Sequence, residues 1–175
     1  MKSSFSAVFV LSLLLLFSAC SRELGPEERL HALGIELPEV SPAIANYVGA
    51  VRSGNLIFLA GHLPRNADGE VITGKLGADM DVDAGYEAAR QATIALLATL
   101  KAEIGSLDDV VRIVKVFGMV NADPEFTQHS QVINGASDLL GEVFGDKGRH
   151  ARAAAGFSSL PLNAAVEVEM IVEVE

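Results

Sequence analysis

The tightest constraint on this chain lies at its end. From Val166 to Val174, apolar Val166, Val168, Met170, Val172 and Val174 alternate with Glu167, Glu169, Ile171 and Glu173. A period of two marks a β-strand, whose successive side chains leave on opposite faces. The strand therefore belongs to a sheet with one face in a core and the other turned away from it. Like charges in a row are costly unless they are solvated or paired. Two readings of the acidic row stay open. It is a solvated outer face, or one of its glutamates orients or deprotonates a water as general base.

The remaining elements follow from local pattern. Tyr47–Val51 and Leu56–Ala60 are short apolar runs separated by Arg52-Ser53-Gly54-Asn55, which predicts a β-hairpin. Asn66-Ala67-Asp68-Gly69 is a further turn, with a short edge strand expected at Val71-Ile72-Thr73. A helix is predicted from Asp81 to Gly105, with Val82, Tyr86, Ala89, Thr93, Leu96, Leu97, Leu100 and Ile104 on one stripe. Asp81 is its N-cap and Gly105 its C′ residue. Val110–Val120 reads as a strand buried on both faces at its centre. A second helix is expected from Asp123-Pro124-Glu125, its stripe running Phe126, Ser130, Ile133, Ser137, Leu140 and Phe144. Ala151–Leu160 reads as another strand. Two helices among five or six strands imply an α+β domain, with the helices on one face of a mixed sheet. Self-assembly is the simplest cover for the other face.

Residues 1–19 read as a signal peptide. Lys2 precedes an apolar run from Val8 to Phe17, about half the length of a membrane-spanning helix. Phe17-Ser18-Ala19-Cys20 follows, and Cys20 is the chain's one cysteine. The arrangement looks like a lipobox, with Phe17 at the usual leucine position. The expected outcome is an exported protein tethered by lipid at Cys20, facing the periplasm from the outer membrane. An ordinary signal peptide or an uncleaved core segment are the other readings. Residues 20–42 are read as the lipid-attachment site and a charged linker carrying one helical piece from Pro26, with Gly34 ending it. Residues 43–175 form the domain.

Chemistry is sparse. The net charge of −10 argues against nucleic acid as a partner. One cysteine excludes an internal disulfide and a cysteine-built metal site. His31, His62, His129 and His150 show no ligand spacing and read as loop or surface histidines. There is no dinucleotide fingerprint, phosphate loop or nucleophile elbow, so no cofactor is expected. His150-Ala151-Arg152 stands out. An arginine at the mouth of a strand, followed by alanines and a glycine, has room to grip a carboxylate through two parallel hydrogen bonds. Alternatively it is a surface arginine paired with a glutamate.

Ala151-Arg152, Leu160-Pro161 and Val166-Glu167-Val168-Glu169 together resemble the C-terminal signature of the Rid (YjgF-like) family, also labelled endoribonuclease L-PSP. Asn46-Tyr47-Val48, Gly54-Asn55-Leu56-Ile57-Phe58, Ala60-Gly61-His62-Leu63-Pro64 and Val132-Ile133-Asn134 agree with it in order and spacing. The resemblance implies a chorismate-mutase-like fold, a homotrimer with sites in the clefts between subunits, and no cofactor. It implies an enamine/imine deaminase acting on small 2-imino or 2-enamino acids to give 2-keto acids and ammonia. The alternative is a non-catalytic envelope protein binding a small carboxylate in the same clefts. By position, Arg152 would bind the substrate carboxylate and Glu167 would handle water. Tyr47 and Asn134 would line the cleft, and Gly61 would close the second strand. Three departures stand in the signature: His150 takes the place of a small residue or proline, Ala153-Ala154 replace a Ser-Cys pair, and Gly156-Phe157-Ser158 differs from the usual acidic, apolar sequence. The linker from Ser21 to Pro42 is extra.

Overall fold

The computed structural model describes residues 23–40 and 45–175; Cys20 and the predicted signal peptide lie outside them. Eight elements set the architecture: α1 (Pro26–Ala32), β1 (Ala50–Ser53), β2 (Leu56–His62), α2 (Val82–Ile104), β3 (Val110–Asn121), α3 (His129–Phe144), β4 (Ala151–Phe157) and β5 (Val166–Val174). The strands form one mixed sheet in the order β1-β2-β5-β3-β4. Only β3 and β4 run parallel, joined by α3 as the crossover helix.

The alternation of β5 does what its sequence requires. Val166, Val168, Met170, Val172 and Val174 are all buried beneath the helices, together with Ile57 and Leu59 of β2 and Ile113, Val116 and Val120 of β3. Helix α2 begins at Asp81, whose side chain accepts the Ala84 N–H at 2.8 Å, and stops at Gly105 with φ 90°. It packs on β5, β2 and α3. Its burial is wider than the predicted stripe and includes Gly85, Ala88, Ala92 and Ala98. These small residues let α2 take contacts on more than one side.

Several expectations change. The hairpin strand begins at Ala50, and its turn is two residues, Gly54-Asn55, with φ 63° at the glycine. Val71-Ile72-Thr73 forms isolated bridges, Arg65 with Val71 and Thr73 with Ala164, rather than a strand. Strand β3 is buried on one face only; Lys115 is exposed and Phe117 and Met119 are half-exposed on the other. The second helix starts at His129, five residues after Pro124. Asp123 instead closes a turn, its carboxylate and carbonyl accepting the N–H groups of Glu125 and Phe126. Strand β4 ends at Phe157, short of Leu160.

The helical piece in the stretch read as a linker exists, and it is docked. Leu30 is buried in the main core. Glu27 accepts from Lys101 Nζ at 2.7 Å, Ser106 Oγ at 3.2 Å and the Leu107 N–H at 3.1 Å. Lys101 holds the Glu27 carboxyl below its usual range.

Away from the helices the sheet is open. Register places Val51, Phe58, Ile171, Lys115 and Ala151 in one row across all five strands. Glu169, Phe117 and Ala153 form the next row. Val51 is 54% exposed, Phe58 41% and Phe157 38%. Phe157 meets Phe117 edge to face, ring centroids 6.4 Å apart.

Candidate functional site

Arg152 lies in register with Val116, which in turn pairs with Met170, both buried on the helix face. Its side chain therefore leaves the edge strand toward α3. Three α3 residues on one side of that helix receive it. Nη1 donates to Asn134 Oδ1 at 2.9 Å and to Ser137 Oγ at 3.0 Å, and Nη2 donates to the Ser130 carbonyl at 3.3 Å. No carboxylate lies within ion-pair distance of Arg152 among the described residues. The alternative of a surface arginine paired with a glutamate is thus not what the fold builds. A guanidinium has five N–H donors. Three are held by neutral acceptors, which leaves Nε–H and one Nη2–H without a partner among the described residues. Nε and Nη2 flank the edge of the group that meets a carboxylate side-on.

Glu167 sits on the other face of the sheet, in register with Met119. It is half-buried and accepts no hydrogen bond from any described residue. Burial raises its carboxyl above the usual range, and neighbouring Glu169 adds to the effect. Gly61 lies against it. A Cβ at position 61 would overlap the Glu167 carboxylate, so this glycine serves space rather than backbone freedom. Gly61 also borders a groove of about 1240 Å³ that includes Tyr47, His62, Gln91 and Thr99.

The predicted residues thus fall into two clusters on opposite faces of the sheet. Arg152 and Asn134 touch in one. Glu167 and Gly61 touch in the other; Tyr47 belongs to neither, bordering the groove that Gly61 shares with Gln91 and Thr99 of α2. A single chain does not bring Arg152 and Glu167 together.

Two histidines read as loop or surface residues prove half-buried, with both ring nitrogens engaged. His62 Nδ1 is 2.8 Å from the Ala60 carbonyl and Nε2 is 2.7 Å from Thr99 Oγ1, which pins the strand end at Gly61 to α2. His150 Nδ1 is 2.6 Å from the Gly148 carbonyl and Nε2 is 3.0 Å from Ser137 Oγ. Burial lowers the pKa of both rings. Ser130 and Ser137 were legible only as members of the packing stripe of α3. Two hydroxyl residues seven apart on that stripe were the available signal of a polar partner facing the helix. Among the described residues, no three His, Cys, Asp or Glu side chains converge as a metal site. No helix there is long and apolar enough to cross a membrane.

A family model described as "YjgF/chorismate mutase-like, putative endoribonuclease" matches residues 27–174. The chain belongs to the YjgF family. The match begins at Glu27, inside the docked helix α1. Among YjgF relatives, Protein TCP17 of Trypanosoma cruzi is 46% identical over 145 residues, covering 82% of this chain and 91% of that protein. A 2-iminobutanoate/2-iminopropanoate deaminase of Dermatophagoides farinae is 28% identical over 142 residues, covering 81% of this chain and 95% of its own. The crystal structure of Atu1372 from Agrobacterium tumefaciens, a protein of unknown function, superposes with a TM-score of 0.79 at 44% identity. It covers 86% of this chain and 94% of that one. The YjgF assignment agrees with the observed α+β sheet carrying its main helices on one face.

Proposed function

We propose that this YjgF protein hydrolyses small 2-imino and 2-enamino acids to 2-keto acids and ammonia, in sites formed between copies of a homotrimer. One observation carries the reading. Arg152 is held by three uncharged acceptors, faces no carboxylate of its own chain, and keeps two donors free on the edge that suits a carboxylate. The named activity of the 28%-identical mite relative supports the choice of substrate. The net charge of −10 disfavours a polynucleotide in its place.

In this reading Arg152 of one copy clamps the substrate carboxylate and Glu167 of a neighbouring copy aligns a water. The imine carbon is already electrophilic, so positioning does most of the work. The water oxygen bonds to that carbon as one of its protons passes to Glu167. Glu167 hands that proton to the imine nitrogen, giving a carbinolamine; the remaining hydroxyl proton then passes to the same nitrogen by way of Glu167, the carbon–nitrogen bond breaks, and ammonia and the 2-keto acid leave. A carboxyl with a raised pKa accepts and returns a proton near neutrality more readily than an ordinary glutamate. Tyr47, near Gly61, lines the cleft. We further propose that Cys20 carries the lipid anchor of an exported, outer-membrane-attached protein; mass spectrometry showing an unmodified Cys20 in cells would defeat that.

The test generates 2-aminoacrylate in situ and follows the keto acid, comparing wild type with Arg152→Ala. Loss of a charge-assisted clamp lowers kcat/KM by about 10²-fold. Equal rates in both proteins would sink the deaminase reading. Arg152-dependent binding of keto acids without turnover would leave the site as a carboxylate-binding module.

A further inference from the structure

The clamp reading of Arg152 raises the question of what fixes the guanidinium. On β4 and α3, Arg152 Nη1 meets Ser137 Oγ, and Ser137 Oγ meets His150 Nε2. The ring's other nitrogen settles the direction of every proton in this chain of contacts. His150 Nδ1 is 2.6 Å from the Gly148 carbonyl, which can only accept. Nδ1 therefore carries the hydrogen, and in the neutral ring Nε2 is a bare acceptor. The Ser137 hydroxyl donates to it. The serine oxygen then turns a lone pair, not a hydrogen, toward Arg152.

We infer that His150 is a positioning residue for Arg152, acting through Ser137 to fix the guanidinium so that its two free N–H groups face an incoming carboxylate. The inference rests on the reading of Arg152 as the clamp and adds a residue that the family resemblance does not supply, since His150 stands where a small residue or proline is usual.

The arrangement works only with a neutral ring. Protonation makes both ring nitrogens donors, so the Ser137 hydroxyl loses its acceptor. It also sets a second positive charge beside Arg152. The groups facing the ring are the uncharged Ser137 from α3, the Gly148 carbonyl from the turn before β4, and Arg152 from β4 itself. None of them stabilises a cationic imidazole by opposite charge. Burial disfavours it further.

The test measures the affinity of the full protein for 2-oxobutanoate, a stable keto acid, across roughly pH 5 to 8, the range of histidine titration. Wild type binds well at neutral pH and loses affinity on acidification, at a pH below the ordinary histidine value. His150→Ala binds on the order of tenfold more weakly than wild type at neutral pH, and the difference closes on acidification as the wild-type ring loses its acceptor. His150→Gln places an amide oxygen where Nε2 was, restores the acceptor, and binds like wild type with the acidic loss removed. Wild-type affinity in His150→Ala, or an unchanged acidic loss in His150→Gln, would overturn the inference.

Deamination and positioning fail separately here, because binding needs no turnover. Should wild type bind no keto acid, the clamp reading falls, and the ligand-free protein still decides the positioning. Nitrogen-15 NMR then reads the His150 tautomer and the exchange of the Arg152 Nη1 protons. An Nδ1–H ring, with Nη1 protons protected in wild type but not in His150→Ala, supports it. An Nε2–H ring, or equal protection in both, overturns it.

Discussion

Gly61 and Glu167 share a space that only one of them can fill, and that makes the glycine a handle on the chemistry. In Gly61→Ala the new methyl displaces the Glu167 carboxylate, while Arg152 is untouched on the opposite face. The expected result is a fall in kcat on the order of 10²-fold with little change in KM. Folding stability changes little, since what yields is the end of a half-open side chain. Urea melts run beside the kinetics separate this from general damage; an equal loss of stability and rate would point to simple misfolding. Glu167 also sets a pH dependence. Its pKa is raised, and the ionised form is the one that takes a proton from water. The rate therefore falls on acidification through a value above that of an ordinary glutamate, and Glu167→Gln removes that limb along with most of the rate. At this scale order and spacing singled out Arg152 and Asn134, and the fold sets their side chains in contact. The sequence was silent where a role depends on the partner across space. Ser137 looked like one more member of a stripe, and His62 and His150 looked like loop residues, because their burial comes from β4, α3 and α2 meeting.

The elements were legible wherever one rule dominated. Asp81 and Gly105 bound α2 because capping chemistry is local. Strand β5 needs only its alternation. Asp123-Pro124 misled, because the same chemistry that caps a helix also closes a turn, and the helix pattern resumes only at His129. The close approach of α2 and α3 was invisible for another reason. A Cβ at Gly135 would run into the backbone carbonyl of Tyr86, an encounter between residues about fifty positions apart. Gly135→Ala forces the helices apart and costs about 1–3 kcal/mol, measured by denaturant unfolding. It also weakens keto-acid binding, because α3 carries Ser130, Asn134 and Ser137. A stable variant with wild-type affinity would show that the site does not depend on this packing. Helix α1 supplies a pH-linked contribution. The Glu27 pKa is lowered by Lys101, so its stabilisation is full above the unfolded-state value near 4.5 and is lost as pH falls through the lower folded value. Glu27→Gln is accordingly less stable than wild type at neutral pH, by no more than about 1 kcal/mol for so accessible a pair. The two converge in acid. Identical stability at neutral pH would contradict the docking account.

Over the whole molecule, the unresolved demand of the sequence was a cover for the second face of the sheet. The fold leaves Val51, Phe58, Phe117 and Phe157 there, interleaved with Lys115, Glu167 and Glu169. Apolar exposure of this kind marks an interface. The trimer reading predicts that Phe58→Glu lowers the assembled mass in sedimentation experiments from three chains toward one. Deaminase activity is lost in parallel, although residue 58 touches neither Arg152 nor Glu167. A monomeric wild type would contradict this.

The opposite-face placement of Arg152 and Glu167 gives the account its sharpest consequence, that neither half of the site works alone. Arg152→Ala and Glu167→Gln chains, each inactive when pure, are unfolded together in equal amounts, refolded and assayed on 2-aminoacrylate. Random trimers then contain interfaces with an intact arginine half from one chain and an intact glutamate half from the other. About a quarter of wild-type turnover returns. A mixture as inactive as its parents would contradict a site shared between subunits.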